Sequence, residues 1–207
     1  KKHSQQMADS ISRRDLLKIA AAGAIAAPGA VLLAEGPDSA EESDMNPNDF
    51  KQHYAPHFGM FQDSAGGDLV DQLKFARDNG FTGWEDNGMR GRSKEDQERV
   101  AKAMTQLGMK MGVFVAHAEW GKPIYALGGK DTIDMLKKEM EASVEVAKRT
   151  NVKWMTVVPG PYDLRLAWDY QTANVVECLK HMAGVLEPHG LVMVLEPLNP
   201  YRDHPGL

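Results

Sequence analysis

The chain has 207 residues, of which 43% are hydrophobic and 26% are charged, an ordinary composition for a globular protein. Its net charge of -5 supplies no basic surface, so we expect no nucleic-acid partner. The single cysteine, Cys178, excludes an internal disulfide, and no Cys/His cluster suggests a zinc site.

The first 34 residues differ from the rest. They carry five Lys or Arg and two Asp, a net charge of +3, which leaves -8 for the remainder. An uncharged run over residues 19–34 is 16 residues long, shorter than the roughly 20 that a membrane span needs. A basic region before a short apolar run indicates an export signal. An N-terminal amphipathic helix or a retained anchor is the alternative.

The basic region contains the motif Ser12-Arg13-Arg14-Asp15-Leu16-Leu17-Lys18. This motif resembles a twin-arginine signal, which implies the twin-arginine export machinery as a partner and a periplasmic or extracellular location. Residues 1–34 are therefore predicted to be a signal segment. Residues 35–48 are rich in Glu, Asp, Ser, Pro and Asn and are predicted to be a solvated linker.

From residue 49 onward, strand-like and helix-like segments alternate. The strand-like apolar runs lie at residues 54–58, 81–85, 110–116, 154–158 and 191–196. The helical patterns lie at residues 68–79, 94–107, 131–149 and 171–187. Repeated strand-helix units of this size predict right-handed crossovers and a parallel sheet.

Two parallel folds compete, an open doubly wound sheet and a β/α barrel. Neither a G-x-G-x-x-G loop nor a P-loop follows a predicted strand. Instead, His57, Glu85, His117 and Glu196 come where strands end, and a barrel brings such ends to one face. We therefore predict an α/β fold in which residues 49–207 form a partial (β/α)8 TIM barrel with five of the eight units.

A complete barrel takes about 250 residues, so we expect strands six to eight to lie beyond residue 207. Five strands alone leave sheet edges and an apolar interior uncovered. We expect residues 48–207 on their own to be poorly soluble and inactive.

Glu196 is the strongest site candidate, because a charge after the apolar run 191–195 is costly unless it is paired or metal-bound. Asn199 and Arg202 follow it and are candidates for substrate binding, with bracing of the loop as the alternative. The Arg202 guanidinium suits an anionic substrate group. His117, Glu85 and His57 are further candidates for substrate binding. A core histidine is the alternative for His117, and an exposed loop acid is the alternative for Glu85. The aromatic residues near strand ends are interpreted mainly as core, with a wall against a sugar as the alternative: Phe61, Trp84 and Trp120.

The segment Val194-Leu195-Glu196-Pro197-Leu198-Asn199, followed by Arg202-Asp203-His204-Pro205-Gly206, carries a family resemblance. It resembles hydroxypyruvate isomerases, which belong to the xylose isomerase-like group of sugar isomerases and epimerases. The sequence departs from the usual pattern by having two residues, Pro200-Tyr201, before Arg202 where one is usual.

The resemblance implies an enzyme that interconverts aldose-type and ketose-type sugars or hydroxy acids, using a divalent metal such as Mg²⁺ or Mn²⁺. It implies that Glu196 binds the metal or moves a proton, and that most other ligands lie in the C-terminal part. Such chemistry removes a proton beside a carbonyl and stabilises the resulting enediolate with positive charge. Two alternatives stay open, a non-catalytic periplasmic sugar-binding barrel and an abasic-site endonuclease. A homo-oligomer also stays open.

Overall fold

The protein was analysed as a computed structural model that describes residues 48–199, 201, 202 and 204. The predicted signal segment and the predicted linker up to residue 47 lie outside the described residues. Within the part that is described, no helix is long and apolar enough to cross a membrane.

Parallel strands alternate with helices through residues 48–199. The strands are β1 (Gly83–Trp84), β2 (Lys110–Met111), β3 (Val113–Ala118), β4 (Trp154–Val158) and β5 (Val192–Leu195). The helices are α1 (Gln62–Ala65), α2 (Leu69–Asp78), α3 (Lys94–Gln106), α4 (Ile124–Leu127), α5 (Lys130–Thr150) and α6 (Trp168–Leu186). Short 3-10 turns lie at Met89–Gly91 and Glu187–His189.

Strand pairing follows the order of the chain. β1 pairs in parallel with β2, and β3, β4 and β5 pair in parallel in that order. Only Gly112 separates β2 from β3, and its backbone N–H donates to the carbonyl of Trp84 at 2.7 Å. The continuous segment from β2 to β3 therefore pairs with β1 on one side and with β4 on the other. This arrangement confirms the predicted α/β fold with part of a β/α barrel.

The prediction of a strand at residues 54–58 was wrong in extent. His57 forms an isolated parallel bridge with Glu85, and the carbonyl of Pro56 accepts from the backbone N–H of Glu85 at 3.0 Å. Pro56 has no N–H to donate to a ladder, and a turn begins directly after His57. The other four predicted strands are present, the third as two pieces that extend to Ala118.

Local sequence signals account for several helix starts. The Asp68 carboxylate accepts from the backbone N–H groups of Val70 and Asp71 at the start of α2. The Ser93 hydroxyl accepts from the backbone N–H of Asp96 at the start of α3. These caps satisfy N–H groups that a helix start leaves without a partner.

The strands have one face against the helices and one face inward. Phe114, Met155 and Val157 belong to the buried core that also contains Leu136 and Met140 of α5. Since side chains alternate along a strand, the neighbours of these three residues along β3 and β4 lie on the inner face. The side on which a strand-end residue projects can therefore be assigned from its pairing partner.

Candidate functional site

Glu196 follows β5 directly and lies on the inner face of the sheet. Its backbone N–H donates to the carbonyl of Val157 at 3.2 Å, and Leu195 lies opposite Val157. Val157 faces the helices, so the next position along β5 faces inward. Glu196 is exposed, and its carboxylate has no hydrogen bond or ion pair to another described residue. A carboxylate in this state is available to a ligand.

Glu85 and His57 are paired with each other at the ends of neighbouring segments. They form a parallel bridge, so their side chains share one face. Trp84, the residue before Glu85, is fully buried against the helices, which places Glu85 and His57 on the inner face with Glu196. The His57 ring contacts its neighbour's backbone, with Nδ1 2.9 Å from the carbonyl oxygen of Phe58.

His117 lies on the opposite face from these three residues. The register shifts between Val115 and His117, so that Ala116 is an extra residue and His117 lies opposite Val157. A residue opposite Val157 faces the helices. There, Nδ1 of His117 lies 3.9 Å from a carboxylate oxygen of Glu139 on α5. The structure therefore does not bring His117 together with Glu196, and a substrate role for His117 stays a prediction.

The surroundings of His117 are unusual for a core histidine. Nε2 is buried and has no hydrogen-bond partner within the described residues. Burial lowers the pKa of the ring, and the Arg90 guanidinium lowers it further, while the Glu139 carboxylate opposes both. Arg90 also pairs with Glu139 and donates from Nη1 to the carbonyl of Ala116 at 2.6 Å. This contact fixes the bulged residue.

The segment after Glu196 folds into a turn around Asn199. The side-chain oxygen of Asn199 accepts from the backbone N–H of Tyr201, and its carbonyl accepts from that of His204, both at 3.0 Å. Asn199 therefore braces the loop in this structure. Arg202 lies in the same turn and is exposed.

Among the described residues, Glu196 is suited to bind a divalent metal, but these residues do not form a complete metal site. No group of three or more His, Cys, Asp or Glu side chains converges among them. Glu196 can supply one carboxylate oxygen, the ligand type that Mg²⁺ and Mn²⁺ prefer. The further ligands expected from strands six to eight stay a prediction.

Sequence reasoning missed two buried acids that shape strand-end loops. Asp86, 4% exposed, accepts from the backbone N–H of Gly88 and pairs with Arg92. Asp163, 7% exposed, accepts from the backbone N–H and the guanidinium of Arg165, and this partner lowers its pKa to about 2. The nearby arginines, six and two residues on, are the signal that could have revealed them.

The fold is found in solved structures that are described as an endonuclease, an epimerase and a probable dehydratase. An AP endonuclease of family 2 from Brucella melitensis is 18% identical with a TM-score of 0.56, covering 73% of this chain and 57% of that chain. A D-psicose 3-epimerase from Clostridium cellulolyticum H10, solved with D-tagatose, is 13% identical with a TM-score of 0.55, covering 74% and 55%. A probable 3-DHS dehydratase from Bacillus anthracis is 14% identical with a TM-score of 0.51, covering 70% and 52%.

The TM-scores above 0.5 establish a common fold, and this chain spans little more than half the length of each of the three structures. No curated protein matches the sequence. The profile of the xylose isomerase-like TIM barrel matches residues 73–206, well over half of the chain. The chain therefore belongs to the xylose isomerase-like TIM barrel family.

Proposed function

We propose that the protein is a sugar isomerase or epimerase that acts on small hydroxy-carbonyl compounds, with hydroxypyruvate isomerase activity the first to test. The observation that carries the proposal is the exposed Glu196 carboxylate on the inner face at the end of β5. It lies in the Glu-Pro-Leu-Asn segment that resembles hydroxypyruvate isomerases. Sugar epimerases of the same fold give general support to this class of reaction.

The chemistry requires a proton to leave one carbon and return to its neighbour. A carboxylate beside the substrate can accept that proton and donate it back. A divalent metal, when bound, supplies positive charge for the oxygens of the enediolate. Glu196 suits either task, proton transfer or metal ligation, because its oxygens have no competing partner within the described residues.

The test is turnover by the full-length protein of hydroxypyruvate, other small hydroxy-carbonyl acids and ketohexoses. We expect activity with Mn²⁺ or Mg²⁺, its loss after chelation, and its recovery when metal is restored. Glu196→Gln should lower kcat/KM at least about 100-fold, the usual minimum for a proton-transfer group. Glu141→Gln, an exposed acid on α5, is the matched control and should keep activity.

Two other results would replace this proposal. Saturable sugar binding without turnover would identify a non-catalytic sugar-binding barrel. Cleavage of a duplex that contains an abasic site would identify an endonuclease. One of the similar structures is described as an AP endonuclease. The net charge of -5 disfavours the endonuclease, because DNA binding relies on basic side chains.

We also propose that the protein is exported through the twin-arginine route. The support is the paired Arg13 and Arg14 ahead of the uncharged run 19–34. Replacing both arginines by lysine should keep the protein in the cytoplasmic fraction of cells. Unchanged export of this variant would contradict the proposal.

A further inference from the structure

Trp120 and His204 connect two loops at the strand-end face. Their ring centroids lie 5.4 Å apart, and the ring planes are inclined by 32°. Trp120 follows β3 by two residues, and His204 lies eight residues after Glu196. β3 and β5 flank β4, and neighbouring strands lie about 4.8 Å apart, so this contact extends roughly 10 Å across the end of β4.

The loop that carries Trp120 is held in place by its own hydrogen bonds. One carboxylate oxygen of Glu119 accepts from the backbone N–H groups of Gly121 at 2.8 Å and Lys122 at 2.9 Å. The backbone N–H of Glu119 donates to the carbonyl of Val158 at 3.1 Å. These bonds fix the backbone of the turn that carries Trp120, which reduces the entropy that the loop loses when a ligand binds.

Trp120 remains 55% exposed despite its contact with His204. The prediction that Trp120 is a core residue is therefore wrong for the described part of the chain, whereas Trp84 is fully buried and belongs to the core as predicted. An exposed indole offers a flat apolar surface to the C–H groups of a sugar. The adjacent imidazole offers a hydrogen bond to a hydroxyl group, and small-molecule sites combine these two kinds of contact.

We propose that Trp120 and His204 form a substrate-binding pair that contacts the hydroxylated carbons of a sugar whose carbonyl end meets Glu196. Glu196 and His204 lie in the loop after β5, and Trp120, which contacts His204, lies in the loop after β3, so all three follow the carboxyl ends of parallel strands. This inference rests on the proposed isomerase or epimerase function and names two residues that determine its specificity.

The test compares Trp120→Leu and His204→Ala with wild type in full-length protein that is loaded with Mn²⁺. Steady-state kinetics with ketohexoses should show KM raised up to about tenfold by Trp120→Leu, with kcat retained, as expected for the loss of an aromatic contact. Trp154→Leu and His189→Ala are the matched controls, because both residues lie at the opposite ends of the strands. Thermal melts should show that all four variants are folded.

Direct titration with ketohexoses separates this inference from the proposed function. Weaker sugar binding by Trp120→Leu and His204→Ala, with normal binding by the two controls, would support the pair even in a protein without turnover. If Trp120→Leu keeps the wild-type KM and the wild-type affinity for sugar, the proposed substrate-binding role of Trp120 and His204 is overturned and the isomerase proposal is left intact. A protein that neither converts nor binds any sugar would overturn both.

Discussion

His117 and Val157 lie opposite each other across β3 and β4, and both side chains therefore face the helices. Strict alternation after Phe114 would have placed His117 on the inner face. The extra residue Ala116 reverses that direction. The result is a half-buried histidine beside Glu139 and Arg90.

The first prediction concerns the pH dependence of stability at His117. Burial lowers the pKa of its ring below the ordinary 6.5, so the unfolded chain binds this proton more tightly than the folded protein. The contribution of His117 should be fully present above pH 6.5 and be lost as the pH falls toward the lowered pKa. Chemical denaturation of wild type from neutral to mildly acidic pH should show this loss.

His117→Gln removes the titrating group and should flatten this part of the stability profile. His189→Gln, the same substitution at an exposed histidine, is the control for the change of residue type. An identical acid loss in wild type and His117→Gln would contradict the assignment to His117.

The second prediction concerns the loop between β4 and α6. The backbone N–H of Asp163 donates to Oε1 of Gln171, and Nε2 of Gln171 donates to the carbonyls of Asp163 and Leu166. Arg165 lowers the pKa of Asp163 to about 2, so the contribution of this carboxylate is present above pH 3.8 and lost as the pH falls toward 2.

Asp163→Asn should lower the melting temperature at neutral pH by a few degrees and reduce the further loss in acid. Glu141→Gln, at an exposed acid in the middle of α5, is the control and should leave the melting temperature at neutral pH unchanged. Equal melting temperatures for Asp163→Asn and wild type would show that the carboxylate does not stabilise this loop.

The third prediction uses one substitution at two glycines. Gly160 has φ +90°, and an added Cβ would lie 2.8 Å from Cγ of Glu119. Gly160→Ala should therefore lower the free energy of unfolding by about 1–2 kcal/mol or more. Gly184 lies in α6 with open space around it, and Gly184→Ala should raise the free energy of unfolding by up to about 1 kcal/mol. Urea denaturation measures the change in the free energy of unfolding for each variant, and the two changes should have opposite signs. A stabilising Gly160→Ala would refute the close approach of Glu119.

The sequence predicts the repeat of strands and helices well, because the repeat depends on local apolar patterns. The run Val192–Leu195 and the stripe of α5 through Leu136 and Met140 are visible as patterns, and both form as expected. The starts of α2 and α3 lie close to their predicted positions, where Asp68 and Ser93 cap the helices. The position of Glu196 directly after the apolar run is what makes it a site candidate, and its role stays a prediction.

Features that depend on tertiary pairing could not be predicted in the same way. Alternation alone gives the wrong face for His117, since the bulge at Ala116 is set by its pairing with β4 and by the Arg90 contact. Glu139 lies in the middle of a regular helix, and no local pattern connects it with a strand end. The contact between Trp120 and His204 joins residues 84 positions apart, beyond the reach of any local pattern.

The turn fastened by Glu119 has a practical consequence for engineering. Because its carboxylate bonds to N–H groups only two and three residues ahead, most of the turn is stabilised within its own short sequence, and we expect it to keep its shape when it is grafted onto another barrel. The recipient protein must have a glycine at the position of Gly160, because a Cβ there would clash with the Glu119 side chain. Mutant libraries at this strand-end face should therefore vary the loop that contains Glu119 and the loop that contains Gly160 together.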